Sequence, residues 1–131
     1  MPQILLIDDD ETIRTVLSLT LQRAGHTVIL AADGREGLRQ LDQHTVDLVV
    51  TDIVMPETEG LELIQRVRAT RPHLKIIVMS GGGRMQDTSY LQTATLLGAD
   101  YALTKPFGGA DFLAAVAAVL SGESRSEATP A

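Results

Sequence analysis

The sequence predicts an α/β domain, a doubly wound parallel sheet of five strands with five helices. Three observations carry that expectation. Five short apolar runs alternate with five segments of helical periodicity across the 131 residues. The runs are apolar at successive positions, as in strands covered on both faces. Strand–helix alternation joined by right-handed crossovers winds helices onto both sides of such a sheet.

The elements follow in order. Ile4-Leu5-Leu6-Ile7 is the first buried strand. Ile13, Val16, Leu17, Leu21 and Ala24 then keep helical spacing, with Gly25 as the C-cap. Thr27 to Ala31 is the second strand. Asp33 caps a helix with an acid three residues on, and that helix runs through Leu38 and Leu41. Leu48-Val49-Val50-Thr51 is the third strand, and Leu61, Ile64 and Val67 stripe the helix that stops before Pro72. Ile76-Ile77-Val78-Met79 is the fourth strand, followed by a helix over 87–97 with Tyr90, Ala94 and Leu97 on one face. Tyr101 to Thr104 is a short fifth strand, and Asp111 to Leu120 is an Ala-rich helix with Phe112, Leu113, Val116 and Leu120 inward. From Ser121 the chain is small and polar, so 121–131 is expected to be a disordered tail behind a single domain of residues 1–120.

Composition removes several classes. There is no Cys, hence no disulfide scaffold, thiolate metal site or Cys nucleophile. Met1-Pro2-Gln3 carries no basic region ahead of an apolar stretch, so no secretory signal is expected. No apolar run approaches the ~20 residues that span a bilayer. The expectation is a cytoplasmic protein without membrane insertion. The net charge of −6 and a pI near 4.9 argue against direct nucleic-acid binding. His26, His44 and His73 stand in polar surroundings and are expected at the surface.

In open α/β sheets, ligands bind beyond the carboxyl ends of the strands. The first strand is followed by Asp8-Asp9-Asp10, the third by Asp52, the fourth by Ser80 and the fifth by Lys105. Taken singly, each has an ordinary role: Asp10 a helix cap, Ser80 a turn residue, Lys105 a solvated lysine. Co-location is what matters. If those four strands are neighbours, carboxylates, a hydroxyl and an ammonium converge on one crevice. Clustered carboxylates disfavour ionisation unless a cation offsets them, and an all-oxygen site of this kind suits Mg²⁺. Lys105 and the metal would clamp phosphoryl oxygens, Ser80 would donate to one, and an Asp can accept the phosphoryl group covalently.

These segments resemble a known family. Ile4-Leu5-Leu6-Ile7-Asp8-Asp9-Asp10, then Thr51-Asp52-Ile53-Val54-Met55-Pro56 with Gly60, then Met79-Ser80-Gly81, and finally Gly98-Ala99-Asp100 with Thr104-Lys105-Pro106-Phe107, occur in order. Together they resemble a bacterial two-component response-regulator receiver domain of the stand-alone type, over residues 3 to about 120. The resemblance implies a flavodoxin-like receiver fold with strand order 2-1-3-4-5. It implies phosphorylation at Asp52, and Mg²⁺ (or Mn²⁺) held by Asp9, Asp52 and the Val54 backbone carbonyl, with Asp8 nearby or acting through water. Ser80 and Lys105 would contact the phosphoryl group, and the Lys105–Pro106 bond would be cis. The implied partners are a sensor histidine kinase or histidine phosphotransfer protein and a downstream protein, in two-component signal transduction. Such a phosphoacceptor is not an enzyme beyond slow self-dephosphorylation. A weak dimer stays open.

The sequence departs from the family's pattern in three places. The aromatic residue usual three positions before the lysine is Ala102, and Tyr101, one residue away, would point to the opposite face. Ser80 is followed by Gly81-Gly82-Gly83, and Lys105 comes 25 positions after it. That glycine-rich loop, with its permissive backbone, is expected to carry the conformational response in place of an aromatic rotamer. Val54 and Gly82 offer no polar group to orient an attacking water, which predicts a long-lived phosphoryl-aspartate.

Competing functions weigh less. A receiver cut from a larger regulator, with a DNA-binding or enzymatic output domain, has the same residues. Asp8-Asp9-Asp10-Glu11-Thr12 also fits the Asp-x-Asp-x-Thr pattern of haloacid-dehalogenase-like phosphohydrolases, with Asp8 as nucleophile and Asp10 as general acid. That reading leaves the Asp52 segment unexplained. A flavodoxin-like cofactor binder is disfavoured by acids that would repel a flavin phosphate and by the lack of Trp.

Overall fold

The structure is a computed structural model that describes residues 2–52, 59–80, 98–104 and 107–122. Along the chain run β1 (Gln3–Ile7), α1 (Glu11–Arg23), β2 (Thr27–Ala31), α2 (Gly34–Gln43), β3 (Leu48–Asp52), α3 (Glu59–Thr70), β4 (Lys75–Ser80), β5 (Tyr101–Thr104) and α4 (Gly109–Leu120). All four strand pairings are parallel, and the sheet order is β2-β1-β3-β4-β5. This is the expected doubly wound order. Four helices are seen among the described residues. The helix expected over 87–97, and the tail from residue 123, lie outside them.

Period-two alternation divides the strands between two cores. Leu5, Ile7, Val49, Ile76, Val78 and Ala102 meet α2 and α3 through Leu41, Leu63, Ile64 and Val67. On the other face Ile4, Leu6, Leu48, Val50, Ile77, Met79, Tyr101 and Leu103 meet α1 and α4 through Leu17, Leu21, Phe112, Ala115, Val116 and Val119. Burial on both faces explains why the strands read as continuous apolar runs.

The helix boundaries follow from local chemistry. The Asp10 carboxylate accepts from the N–H groups of Thr12 and Ile13, so it is the N-cap of α1. At the other end, His26 N–H donates to Leu21 O and Gly25 N–H to Gln22 O, with Gly25 at φ +97°. That paired return is a Schellman motif, and its left-handed residue calls for glycine. Asp33 caps α2 by accepting from Glu36 N–H, while the Glu36 carboxylate reaches back to Ala32 N–H. Removing this cap as Asp33→Ala should lower unfolding stability by about 1 kcal/mol in a urea melt. A loss under a few tenths would mean that water replaces the carboxylate without penalty.

Gly37 lets α2 lie close on β1. A Cβ there would fall 2.5 Å from the Cδ1 of Ile7, the last residue of β1. Two expectations need correction. The spacing shared by Ile13, Val16, Leu17, Leu21 and Ala24 does not bury them all, for Val16 is 54% exposed, Ala24 is exposed too, and Ser18 is buried. Val16 and Ser18 lie about 100° to either side of Leu17. His26 is not a free surface residue either: it is half-buried, and its Nδ1 is enclosed without a hydrogen-bond partner. His44 and His73 are exposed, as expected.

Candidate metal and phosphoryl site

The site grows out of strand register. Ile7 of β1 pairs with Thr51 of β3, so the next rung sets Asp8 beside Asp52. Both continue the alternation of the α1/α4 face, Asp8 after Ile4 and Leu6, Asp52 after Leu48 and Val50. Neighbouring strands are about 4.8 Å apart. One carboxylate oxygen from each of Asp8, Asp9 and Asp52 lies within 4.8 Å of the other two. Asp8 is fully buried, Asp52 is 6% exposed, and Asp9 is exposed at the mouth.

The backbone around these acids is closely held. Asp8 N–H donates to Ala31 O at 3.2 Å, which continues the β1–β2 ladder past the last strand residue. Asp8 Oδ1 accepts from Asp10 N–H at 2.9 Å. The Asp8 carbonyl accepts from Arg14 Nη1 at 2.6 Å. Beneath Asp52, the buried Thr51 hydroxyl donates to the Asp52 carbonyl at 3.1 Å. Three carboxylates so close repel one another, and their hard oxygens match Mg²⁺ or Mn²⁺ better than softer metals. The donor set therefore fits a divalent cation shared with oxygens from a second ligand.

The other expected site residues divide into two groups. Ser80 ends β4 and pairs with Thr104, the last residue of β5, so its backbone reaches the same edge of the sheet as Asp52. The Ser80 side chain, Val54, Gly81, Gly82, Gly83, Lys105 and Pro106 lie outside the described residues. Tyr101 packs on the α1/α4 face, and Ala102 on the α2/α3 face. Tyr101 therefore does not occupy the place of Ala102. Asp10, the general acid of the phosphohydrolase alternative, has its carboxylate engaged at the α1 N-terminus. Arg14 was not anticipated. Its partner is a carbonyl oxygen, which every residue carries, so residue type gives no signal.

Comparison with known proteins agrees with this geometry. A family model described as "Response regulator receiver domain" matches residues 4–117. The transcriptional regulatory protein AfsQ1 of Streptomyces coelicolor is 39% identical over 120 residues, which are 92% of this chain and 52% of that protein. The alkaline phosphatase synthesis transcriptional regulatory protein PhoP of Bacillus subtilis is 34% identical over 119 residues, 90% of this chain and 48% of that one. The chain thus spans about half the length of these relatives. Among solved structures, a response regulator receiver domain protein from Clostridium thermocellum superposes with a TM-score of 0.84. Its identity is 29%, with 92% of this chain and 95% of that one covered.

Proposed function

The chain belongs to the response regulator receiver domain family, and from that premise we propose that Asp52 accepts a phosphoryl group from a phosphohistidine. The donor is a sensor histidine kinase or a histidine phosphotransfer protein. An Asp52 carboxylate oxygen bonds to phosphorus as the phosphorus–nitrogen bond of the donor breaks. The leaving imidazole nitrogen keeps that electron pair and takes up a proton. Asp9, Asp52 and the Val54 carbonyl would hold Mg²⁺ or Mn²⁺, with Asp8 nearby or acting through water, and the cation would supply positive charge to the phosphoryl oxygens. Ser80 donates a hydrogen bond to one phosphoryl oxygen, and Lys105 adds a second positive charge. The observation that carries the proposal is the approach of three carboxylates to within 4.8 Å of one another at the ends of adjacent parallel strands. Phosphodonor labelling of wild type and Asp52→Ala, with and without Mg²⁺ and read by intact mass, tests it.

The domain boundary at about residue 120, a cytoplasmic location and output through contact with another protein belong to the same proposal. No described helix is long and apolar enough to cross a membrane. One observation favours a second reading, a receiver that works within a longer regulator: the relatives are about twice as long as the matched segment. The length of the native reading frame decides between the two.

Val54, two residues beyond Asp52, has no group to orient water. Val54→Asn should speed loss of the phosphoryl group roughly tenfold, a modest share of what a positioned polar group contributes to such a step. The decay of the labelled mass over time checks this. An unchanged half-life removes the account of the long-lived state.

A further inference from the structure

We propose that Arg14 is a positioning residue for the cation site, fixing the peptide between Asp8 and Asp9 so that Asp9 is already aimed at the cation. The inference rests on the reading that Asp8, Asp9 and Asp52 hold a divalent cation. A peptide unit is a rigid plane, so holding its oxygen orients the whole plane and the start of the next residue. Arg14 Nη1 holds the Asp8 oxygen at 2.6 Å. On the far side, the Asp10 carboxylate caps α1 at 2.9 and 3.2 Å, and the Asp10 carbonyl accepts from Arg14 N–H at 3.0 Å. Asp9 is thus the exposed acid between two anchored neighbours, and both anchors come from the first turns of α1.

A guanidinium here needs a reason. Positive charge beside a cation site opposes binding by Coulomb's law. Were Arg14 simply a charge, removing it would tighten cation binding. As a positioning group its removal must weaken binding, because the free Asp8–Asp9 peptide has to be ordered again each time the cation binds. The two roles predict opposite signs. The half-buried side chain and its short bond to a backbone oxygen favour position. A charged donor makes a stronger bond to a carbonyl than a neutral one does.

The test is titration of the full chain with Mn²⁺ by calorimetry, with cation-free melting as the control on folding. Arg14→Met is expected to bind Mn²⁺ about tenfold more weakly than wild type, in the range typical of groups that orient metal ligands. Arg14→Gln is a second neutral variant, for use where Arg14→Met melts too low to titrate, and is expected to weaken binding in the same direction. Arg14→Lys restores a charged donor and should return to within about threefold of wild type. Neutral variants that bind as tightly as wild type, or more tightly, overturn the inference while leaving the cation site intact. So does an Arg14→Lys variant no better than Arg14→Met. A wild type that binds no Mn²⁺ overturns the reading underneath, and the positioning role with it.

Discussion

Wild type incubated with Mg²⁺ and a small phosphodonor is expected to gain the mass of one phosphoryl group, and Asp52→Ala none. The three acids of the cluster are not equivalent candidates for the acceptor. Asp8 is fully buried, and its Oδ1 already accepts from Asp10 N–H. Asp9 is exposed, on a loop position past the end of β1. Asp52 is the last residue of β3, 6% exposed, and paired with Met79 of β4. A nucleophile has to be oriented and still reach its donor, and Asp52, fixed at the end of its strand beside the other two acids, is the expected acceptor. Asp9→Ala should therefore keep the label on Asp52 but need more Mg²⁺, with a slowed rate that rises again as Mg²⁺ is raised. Labelling of Asp52→Ala at the wild-type rate, or recovery of the label on Asp8, would overturn the assignment. Recovery on Asp8 with turnover of phosphate esters would revive the phosphohydrolase reading.

The contrast between what could and could not be read from the sequence has a physical basis. The strands were legible because burial on both faces leaves runs such as Ile4 to Ile7 and Ile76 to Met79 with no polar interruption. The acid cluster was legible because parallel strands in one sheet end at one edge, so chemistry placed after each run must meet. Caps were legible because Asp10 and Asp33 act on N–H groups two or three residues ahead. The roll of α1 was not. Val16 and Ser18 sit symmetrically about Leu17, and only the packing of the folded domain decides which one is covered. Arg14 and Arg68 were not legible either. Their partners are mainly backbone oxygens, whose positions depend on the fold.

Arg68→Ala should be among the most destabilising single substitutions on this chain outside its apolar core, by about 3 kcal/mol. Arg68 lies near the end of α3, at the opposite edge of the sheet from the acids. Its Nε and Nη2 donate to Gly98 O at 3.0 and 2.8 Å, and Nη2 also meets Asp100 Oδ2 at 2.8 Å. Nη1 donates to Pro72 O at 3.2 Å and to Leu74 O, with a longer contact to Arg71 O. One guanidinium thus ties the end of α3, the turn into β4 and the segment leading into β5. Asp100 adds to the same junction, because its Oδ2 accepts from Ile76 N–H at 2.8 Å. The ion pair is only 20% and 15% exposed, so water does not replace it freely. Loss of the guanidinium removes a donor from several carbonyls at once, which sets this pair apart from an exposed bridge such as Arg71–Asp42, where Asp42 is 76% exposed. Arg68→Lys should recover less than half of the loss, since one ammonium cannot span acceptors arranged for a planar fork. Urea melts measure both variants, and a double-mutant cycle with Asp100→Ala isolates the ion pair from the carbonyl contacts. A loss below about 1 kcal/mol for Arg68→Ala would show that rehydrated carbonyls offset the missing guanidinium. Phosphodonor labelling of the folded variant should match wild type, because among the described residues the bonds of Arg68 lie at the other edge of the sheet from the acid cluster; a slowed rate would mean that the two edges of the sheet are coupled.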